Sequence, residues 1–217
     1  MVSTAVSRSR ILPVPYFPQP TGITCQSTCL KMMASYLEQA VVYQSTGAAA
    51  KDIGAIWKDV NEAKDRPVKL RNAHANLKWW LERYFPRLRF EYVTLTDEAV
   101  AIERIIQFVD GGMPVLMSVS HARVEGHIIL VVGYEGHVPG ISSTDFDLVV
   151  HDPYGRFDPS LLSNTFGQRR FDGGMSLASG GSKGPGEGCR VPVTSVSRQR
   201  AGDARSGTYY LLSATRW

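Results

Sequence analysis

Cysteine is scarce in this sequence, which has three in 217 residues. Three thiols cannot form the disulfide framework of a small secreted protein, and the odd count leaves at least one thiol outside any intramolecular bond. The pair Cys25 and Cys29 has no second pair at the spacing of a zinc site, which argues against structural zinc. We therefore expect no metal and no cofactor.

Long hydrophobic runs are also missing. The longest, Ile128–Val132, is far too short to cross a bilayer, and the first ten residues lack the apolar centre of a secretory signal. Such a chain is expected to be cytoplasmic as synthesised, in a reducing compartment, and without a membrane span. Export by a route that needs no cleaved signal stays open, and the sequence does not predict an oligomeric state.

No stretch of the chain carries a block of charge of one sign. There are 24 Lys and Arg against 20 Asp and Glu, which gives a net charge of +4 with the basic residues scattered. Zinc-finger spacing, aromatic RNA-binding signatures and basic tracts are absent, so the sequence predicts no nucleic-acid partner. The small positive charge favours substrates that carry carboxylates.

Enough apolar sequence is present for one packed domain, since hydrophobic residues make up 43% of the chain, and we expect residues 1–217 to form that domain. Helical periodicity predicts helices at about 25–39, 48–63, 73–84 and 97–109. Runs rich in Val, Ile and Leu predict strands at about 89–94, 114–120, 127–134, 146–151 and 208–214. Helices followed by antiparallel strands indicate an α+β fold.

A glycine-rich stretch interrupts the last part of the domain. Residues 173–188 contain seven glycines and almost nothing that could be buried. We expect a mobile loop and not a linker to a second domain, because the strand after it is needed to complete the sheet.

Cys25 is the first residue with candidate chemistry. Four prolines within 11–24 predict an extended segment, and Thr24 is a candidate N-cap, so Cys25 should lie in the first turn of a helix. Free backbone N–H groups and the positive end of the helix dipole favour a thiolate there. Gln19, six residues earlier, is near enough for its amide to join the Cys25 N–H in stabilising an oxyanion.

A thiol nucleophile needs a base, and His127 is the candidate among five histidines because it begins a strongly apolar strand. If this strand pairs with 146–151 as a hairpin, with Tyr134 opposite Asp147, Asp152 becomes a neighbour of His127. A carboxylate there can fix the imidazole tautomer and stabilise the imidazolium.

Other residues compete for these roles. Cys29 is the alternative nucleophile, but one turn into the helix we expect it to point into the core. His151 adjoins Asp152 yet should face the opposite side of its strand. We interpret His121 and His137 as loop or strand residues and His74 as a solvated helix residue.

Three blocks of sequence, taken together, resemble a known family. They are VPYFPQPTGITCQSTCLKMMASYL (14–37), GGMPVLMSVSHARVEGHIILVVGYEG (111–136) and DLVVHDPYGRF (147–157). They resemble the papain-like cysteine peptidases that process double-glycine leader peptides of bacteriocins, and their free-standing relatives. The resemblance implies a papain-like cysteine hydrolase fold, with the nucleophile at a helix start packed on a C-terminal antiparallel sheet. The roles that it implies are nucleophile for Cys25, base for His127, orienting residue for Asp152 and oxyanion-hole residue for Gln19.

The resemblance further implies hydrolysis of a peptide or isopeptide bond through an acyl-enzyme. The substrate would be a peptide, a protein or peptidoglycan, and a bacterial or phage effector or toxin is one setting for such an enzyme. Two alternatives stay open: a deamidase or acyltransferase toxin with the same residues, and a binding module on this fold without catalysis. Thr24 and Gln26 flank Cys25 where the family often has Asp and usually has Gly, so we do not carry over its substrate specificity.

Overall fold

The computed structural model describes residues 6–40, 45–71, 73–121, 124–138, 146–155, 186–192 and 209–215. Within these ranges the helices are α1 Cys25–Ala40, α2 Ile53–Glu62, α3 His74–Tyr84 and α4 Glu98–Asp110. The strands in the same ranges are β1 Val6–Ile11, β2 Arg89–Leu95, β3 Val115–His121, β4 Val124–Val138, β5 Phe146–His151, β6 Cys189–Pro192 and β7 Tyr209–Thr215. Among the described residues, no helix has the length and hydropathy needed to cross a membrane.

The described strands join in one antiparallel sheet. Its order is β2, β7, β3, β4, β5, β6. Two strands pair with the same edge of the long strand β4. Strand β3 pairs with its first half, and β1 pairs with residues 133–138. Helix α1 packs against β4, α3 against β2 and α4 against β7. The predicted α+β fold is therefore confirmed.

Two strands have no counterpart in the sequence prediction. β1 has the sequence VSRSRI, which holds too few apolar residues to stand out, and β6 has only four residues. Helix α2 begins later than predicted because Asp52 caps it, its Oδ1 accepting the Ala55 N–H at 2.7 Å. Most of the predicted glycine-rich loop, 173–185, lies outside the described residues, whereas Gly186 and the two residues after it are described.

The hairpin of β4 and β5 differs from the predicted register at one end and agrees with it at the other. Tyr134 lies opposite Leu148 and not opposite Asp147, so the predicted pairing at this end is wrong by one residue. A β-bulge in β4 then shifts the register, and Leu130 lies opposite His151, as the predicted register requires. Asp152, the residue that follows β5, is thereby brought beside the first half of β4.

Helix α1 is held firmly in the core. Its buried side chains recur at helical spacing and include Cys29, Leu30, Met33 and Leu37. Because this face packs on β4, the N-terminal end of α1 has a fixed position relative to the strand that carries His127.

Candidate active site

Cys25 is the first residue of α1 and is partly exposed. The Thr24 carbonyl oxygen accepts the Thr28 N–H at 2.9 Å, which begins the helical hydrogen bonding. Thr24 therefore occupies the predicted N-cap position, but its hydroxyl donates to the Thr21 carbonyl oxygen at 3.0 Å and turns away from the helix. The backbone N–H of Gln26, in the first turn, helps to lower the pKa of the Cys25 thiol.

The imidazole of His127 joins Cys25 to Asp152. Nε2 of His127 lies 2.7 Å from Oδ1 of Asp152, and both side chains are almost completely buried. The same imidazole also hydrogen-bonds the Cys25 side chain. The structure thus brings together a thiol, an imidazole and a carboxylate that lie far apart in sequence.

The Cys25 thiol and the His127 imidazole have shifted pKa values. Burial raises the pKa of the Cys25 thiol, but the hydrogen bond and charge of His127, with the backbone N–H groups of Ile128 and Gln26, outweigh it and lower that pKa below its ordinary value. Burial lowers the pKa of His127, but the charge and hydrogen bond of Asp152, helped by Cys25, raise it to about 10. These opposite shifts favour the pair of thiolate and imidazolium over the pair of neutral thiol and neutral imidazole.

A neighbouring residue holds the Asp152 carboxylate in place. Besides facing His127, Oδ1 of Asp152 accepts the Tyr154 N–H at 2.9 Å. The buried Tyr154 ring stands edge-on to the His127 ring, with centroids 5.8 Å apart. Sequence reasoning did not single out Tyr154, although it lies in the block DLVVHDPYGRF, where a residue two positions after an Asp is a normal partner for its carboxylate.

Gln19 is buried and tied to the loop that follows Asp152. Its backbone N–H donates to the Pro153 carbonyl oxygen at 2.8 Å, and the residue is 1% exposed. Nε2 donates one hydrogen to the Thr21 carbonyl oxygen at 2.6 Å. Oε1 accepts no hydrogen bond from the part of the chain that the structure describes. A buried amide with spare hydrogen-bonding capacity is uncommon in folded proteins.

Cys29 lies one turn further along α1 and is fully buried. Its thiol donates to the Ile128 carbonyl oxygen at 3.4 Å. Burial, followed by the charges of Cys25 and Asp152, raises the pKa of Cys29 well above its ordinary value. A buried, protonated thiol is a poor nucleophile, so the chemistry of this position is unlike that of Cys25.

Two of the remaining histidines have described side chains, and both make specific contacts. His151 is buried, with Nε2 2.8 Å from the Val14 carbonyl oxygen and Nδ1 3.0 Å from the Gly188 nitrogen. His74 was expected to be solvated, but it is half-buried and stacks on Tyr92 and Tyr210. The side chains of the described residues form no cluster of three or more His, Cys, Asp or Glu that would suit a metal ion.

Comparison with known proteins gives one family. No curated protein matches the sequence. The profile described as the Peptidase_C39 like family matches residues 11–169, which span Cys25, His127 and Asp152. That family has a papain-like fold, in agreement with the helices and antiparallel sheet seen here. Because the match covers well over half of the chain, the protein belongs to the Peptidase_C39-like family of papain-like cysteine peptidases.

Proposed function

We propose that the protein hydrolyses an amide bond with Cys25 as nucleophile, His127 as acid and base, and Asp152 as the residue that orients His127. The observation that supports this most directly is the pair of contacts made by one imidazole, to the Cys25 side chain and to Asp152 Oδ1 at 2.7 Å. A nucleophile, a base and a group that orients the base are the components of covalent acyl-transfer catalysis.

The first half of the reaction forms an acyl-enzyme. The Cys25 thiolate attacks the carbonyl carbon of the substrate, and the carbonyl oxygen becomes an oxyanion. The His127 imidazolium then gives its proton to the leaving amine as the C–N bond breaks, which leaves a thioester on Cys25 and a neutral imidazole.

The second half restores the enzyme. Neutral His127 removes a proton from water, and the resulting hydroxide attacks the thioester carbon. The C–S bond breaks, the acid product leaves, and Cys25 is again a thiolate beside an imidazolium. The buried Asp152 carboxylate stabilises the imidazolium in both halves without itself taking up a proton.

Gln19 is the proposed side-chain donor to the oxyanion. One Nε2 hydrogen is bonded to the Thr21 carbonyl oxygen, which fixes the amide plane and leaves the second hydrogen for a ligand. The Cys25 backbone N–H, at the first position of α1, is the second donor. A preformed pair of this type costs no reorganisation when the negative charge develops.

The exposure of the three side chains favours a substrate that approaches from the α1 side. His127 and Asp152 are buried, whereas Cys25 is partly exposed and Ile23, two residues earlier, is 62% exposed. An amide carbonyl in an extended peptide or an isopeptide link can reach the sulfur from this direction. We therefore propose a peptide, protein or peptidoglycan stem as substrate.

The experiment is incubation of the purified protein with denatured protein and, separately, with purified cell wall, followed by mass spectrometry of the products. New chain ends that form with wild type and Cys29→Ala, but not with Cys25→Ala, support the proposal. Release of ammonia, with a gain of about one mass unit and no chain cleavage, would identify deamidation through the same residues. No product that depends on Cys25 would contradict both.

A further inference from the structure

The turn that carries Asp152 is fixed through its main chain as well as its carboxylate. The Tyr16 hydroxyl donates to the Asp152 carbonyl oxygen at 3.2 Å and accepts the Gly186 N–H at 3.0 Å. The Asp152 N–H donates to the Gly186 carbonyl oxygen at 2.8 Å. These three hydrogen bonds form a closed ring, so both backbone polar groups of Asp152 are held by residues distant in sequence.

Gly186 fits this ring because it has no side chain. A Cβ at this position would lie 2.0 Å from the Asp152 carbonyl oxygen and 2.6 Å from that of Gly155, distances at which the turn must move. Gly188, two residues later, differs: its φ is +60°, but a Cβ there meets no atom within 4 Å. Of these two glycines, only Gly186 lies so close to the Asp152 turn that a side chain would clash.

His151 makes further hydrogen bonds between the three segments that contain Tyr16, Asp152 and Gly186. Because the Val14 carbonyl oxygen can only accept and the Gly188 N–H can only donate, the imidazole carries its hydrogen on Nε2 and is neutral. Burial lowers the pKa of His151, which agrees with this state. The Tyr16 ring stands edge-on to the imidazole, with centroids 5.7 Å apart.

The Tyr16 hydroxyl stays a proton donor across the range in which the Cys25 and His127 pair would act. Burial raises the pKa of Tyr16 to about 12, against the opposite effect of the Gly186 N–H. Gly186 lies beyond residue 169, where the match to the family ends. Some of the hydrogen bonds that fix the Asp152 turn thus come from a region that the family profile does not cover.

We propose that Tyr16 and Gly186 are positioning residues that hold the Asp152 turn in place and so keep its carboxylate against His127. The proposal deepens the proposed function, since it rests on Cys25, His127 and Asp152 acting as one unit. A charge-assisted hydrogen bond of 2.7 Å weakens steeply when its geometry loosens. Loosening it would destabilise the imidazolium and, through it, the Cys25 thiolate.

The test is the pH dependence of alkylation of Cys25 by iodoacetamide, followed at the peptide level by mass spectrometry. This readout reports the thiolate directly and needs no substrate. We expect Tyr16→Phe to raise the alkylation midpoint by about half a pH unit or more and to lower kcat about tenfold with KM little changed. The matched control is Tyr36→Phe, which removes a buried hydroxyl that donates to the Gly112 carbonyl oxygen at 2.9 Å, on α1 but far from its first turn.

Gly186→Ala gives an independent arm, with Gly188→Ala as its control. We expect Gly186→Ala to raise the midpoint at least as much as Tyr16→Phe, and Gly188→Ala to leave it unchanged despite some backbone strain. An unmoved midpoint in Tyr16→Phe, or an equal shift in Tyr36→Phe, would overturn the positioning role even if Gly186→Ala fails to fold. If the variants show these shifts but the wild type cleaves no amide, the proposed function fails while the positioning role stands.

Discussion

The backbone carbonyl oxygen of Ile128 accepts the thiol of Cys29 at 3.4 Å. The N–H of the same residue lowers the pKa of the Cys25 thiol through a hydrogen bond. One residue of β4 thus offers an acceptor to one thiol of α1 and a donor to the other. An acceptor favours the protonated thiol and a donor favours the thiolate, so the two cysteines are expected to differ in chemistry despite their proximity.

Replacement of each cysteine tests this difference. Cys25→Ala should leave a folded protein whose turnover falls by about 10⁴-fold or more, because covalent catalysis is lost. Cys29→Ala should retain activity but lose about 1 kcal/mol of stability, since a buried thiol and its hydrogen bond are removed. Turnover and chemical unfolding of both variants measure these effects. The reverse pattern would make Cys29 the nucleophile.

The pH profile of kcat/KM should have a broad plateau between two limbs. On the acid side, activity rises as Cys25 loses its proton, at a pH below the ordinary value for a thiol because its pKa is lowered. On the alkaline side, activity falls near pH 10, where His127 loses the proton that the leaving amine needs. Iodoacetamide alkylation of Cys25 should follow the acid limb alone. An alkylation midpoint at or above the ordinary thiol pKa would contradict the ion pair.

Asp152→Asn should retain the fold but lower kcat by about 10²- to 10⁴-fold, because an amide cannot stabilise the imidazolium and favours the wrong tautomer. The alkaline limb should also move to lower pH, since the charge that raises the pKa of His127 is gone. Comparison of the two pH profiles measures both effects. His127→Ala is the reference, with activity near that of Cys25→Ala. An unshifted alkaline limb in Asp152→Asn would separate this carboxylate from catalysis.

Gly133 provides a prediction about the fold. A Cβ there would lie 2.4 Å from the Arg10 carbonyl oxygen and 2.9 Å from the Ile11 Cα, so β1 would have to move away from β4. We expect Gly133→Ala to cost about 1–3 kcal/mol, measured as a decrease in the free energy of unfolding. Gly47→Ala, whose Cβ meets no atom within 4 Å although φ is +87°, should cost about 1 kcal/mol. A loss in Gly133→Ala no larger than that in Gly47→Ala would show that β1 can move away from β4 at little cost.

Much of the fold could be predicted because its main elements have strong periodic patterns. α1, α3, α4 and the apolar strands begin and end within a few residues of their predicted positions. β1 and β6 could not be predicted, since their pairing depends on partners elsewhere in the sheet. The bulge in β4 could not be predicted either, because one extra residue in an apolar run does not change the sequence pattern.

The candidate site likewise contains residues that could be predicted from the sequence and residues that could not. Cys25, His127 and Asp152 could be proposed together because each has a distinctive local setting and one hairpin register relates two of them. Tyr16 and Gly186 could not, since a tyrosine among prolines and one glycine among seven carry no signal until the chain folds them onto the same turn. Residues that act through the main chain of another residue leave little trace in a single sequence.

The place of Gly186 and β7 in the chain has a consequence for the order in which the site and the sheet are completed during synthesis. When Asp152 has just been added to the growing chain, Cys25 and His127 are already present. Gly186, whose carbonyl oxygen accepts the Asp152 N–H, has not yet been made. β7, which lies between β2 and β3 in the sheet, is made later still. Until β7 is available, β2 has no partner in the described sheet and β3 lacks one of its two neighbours, so the described sheet is completed only after all its other strands have been made.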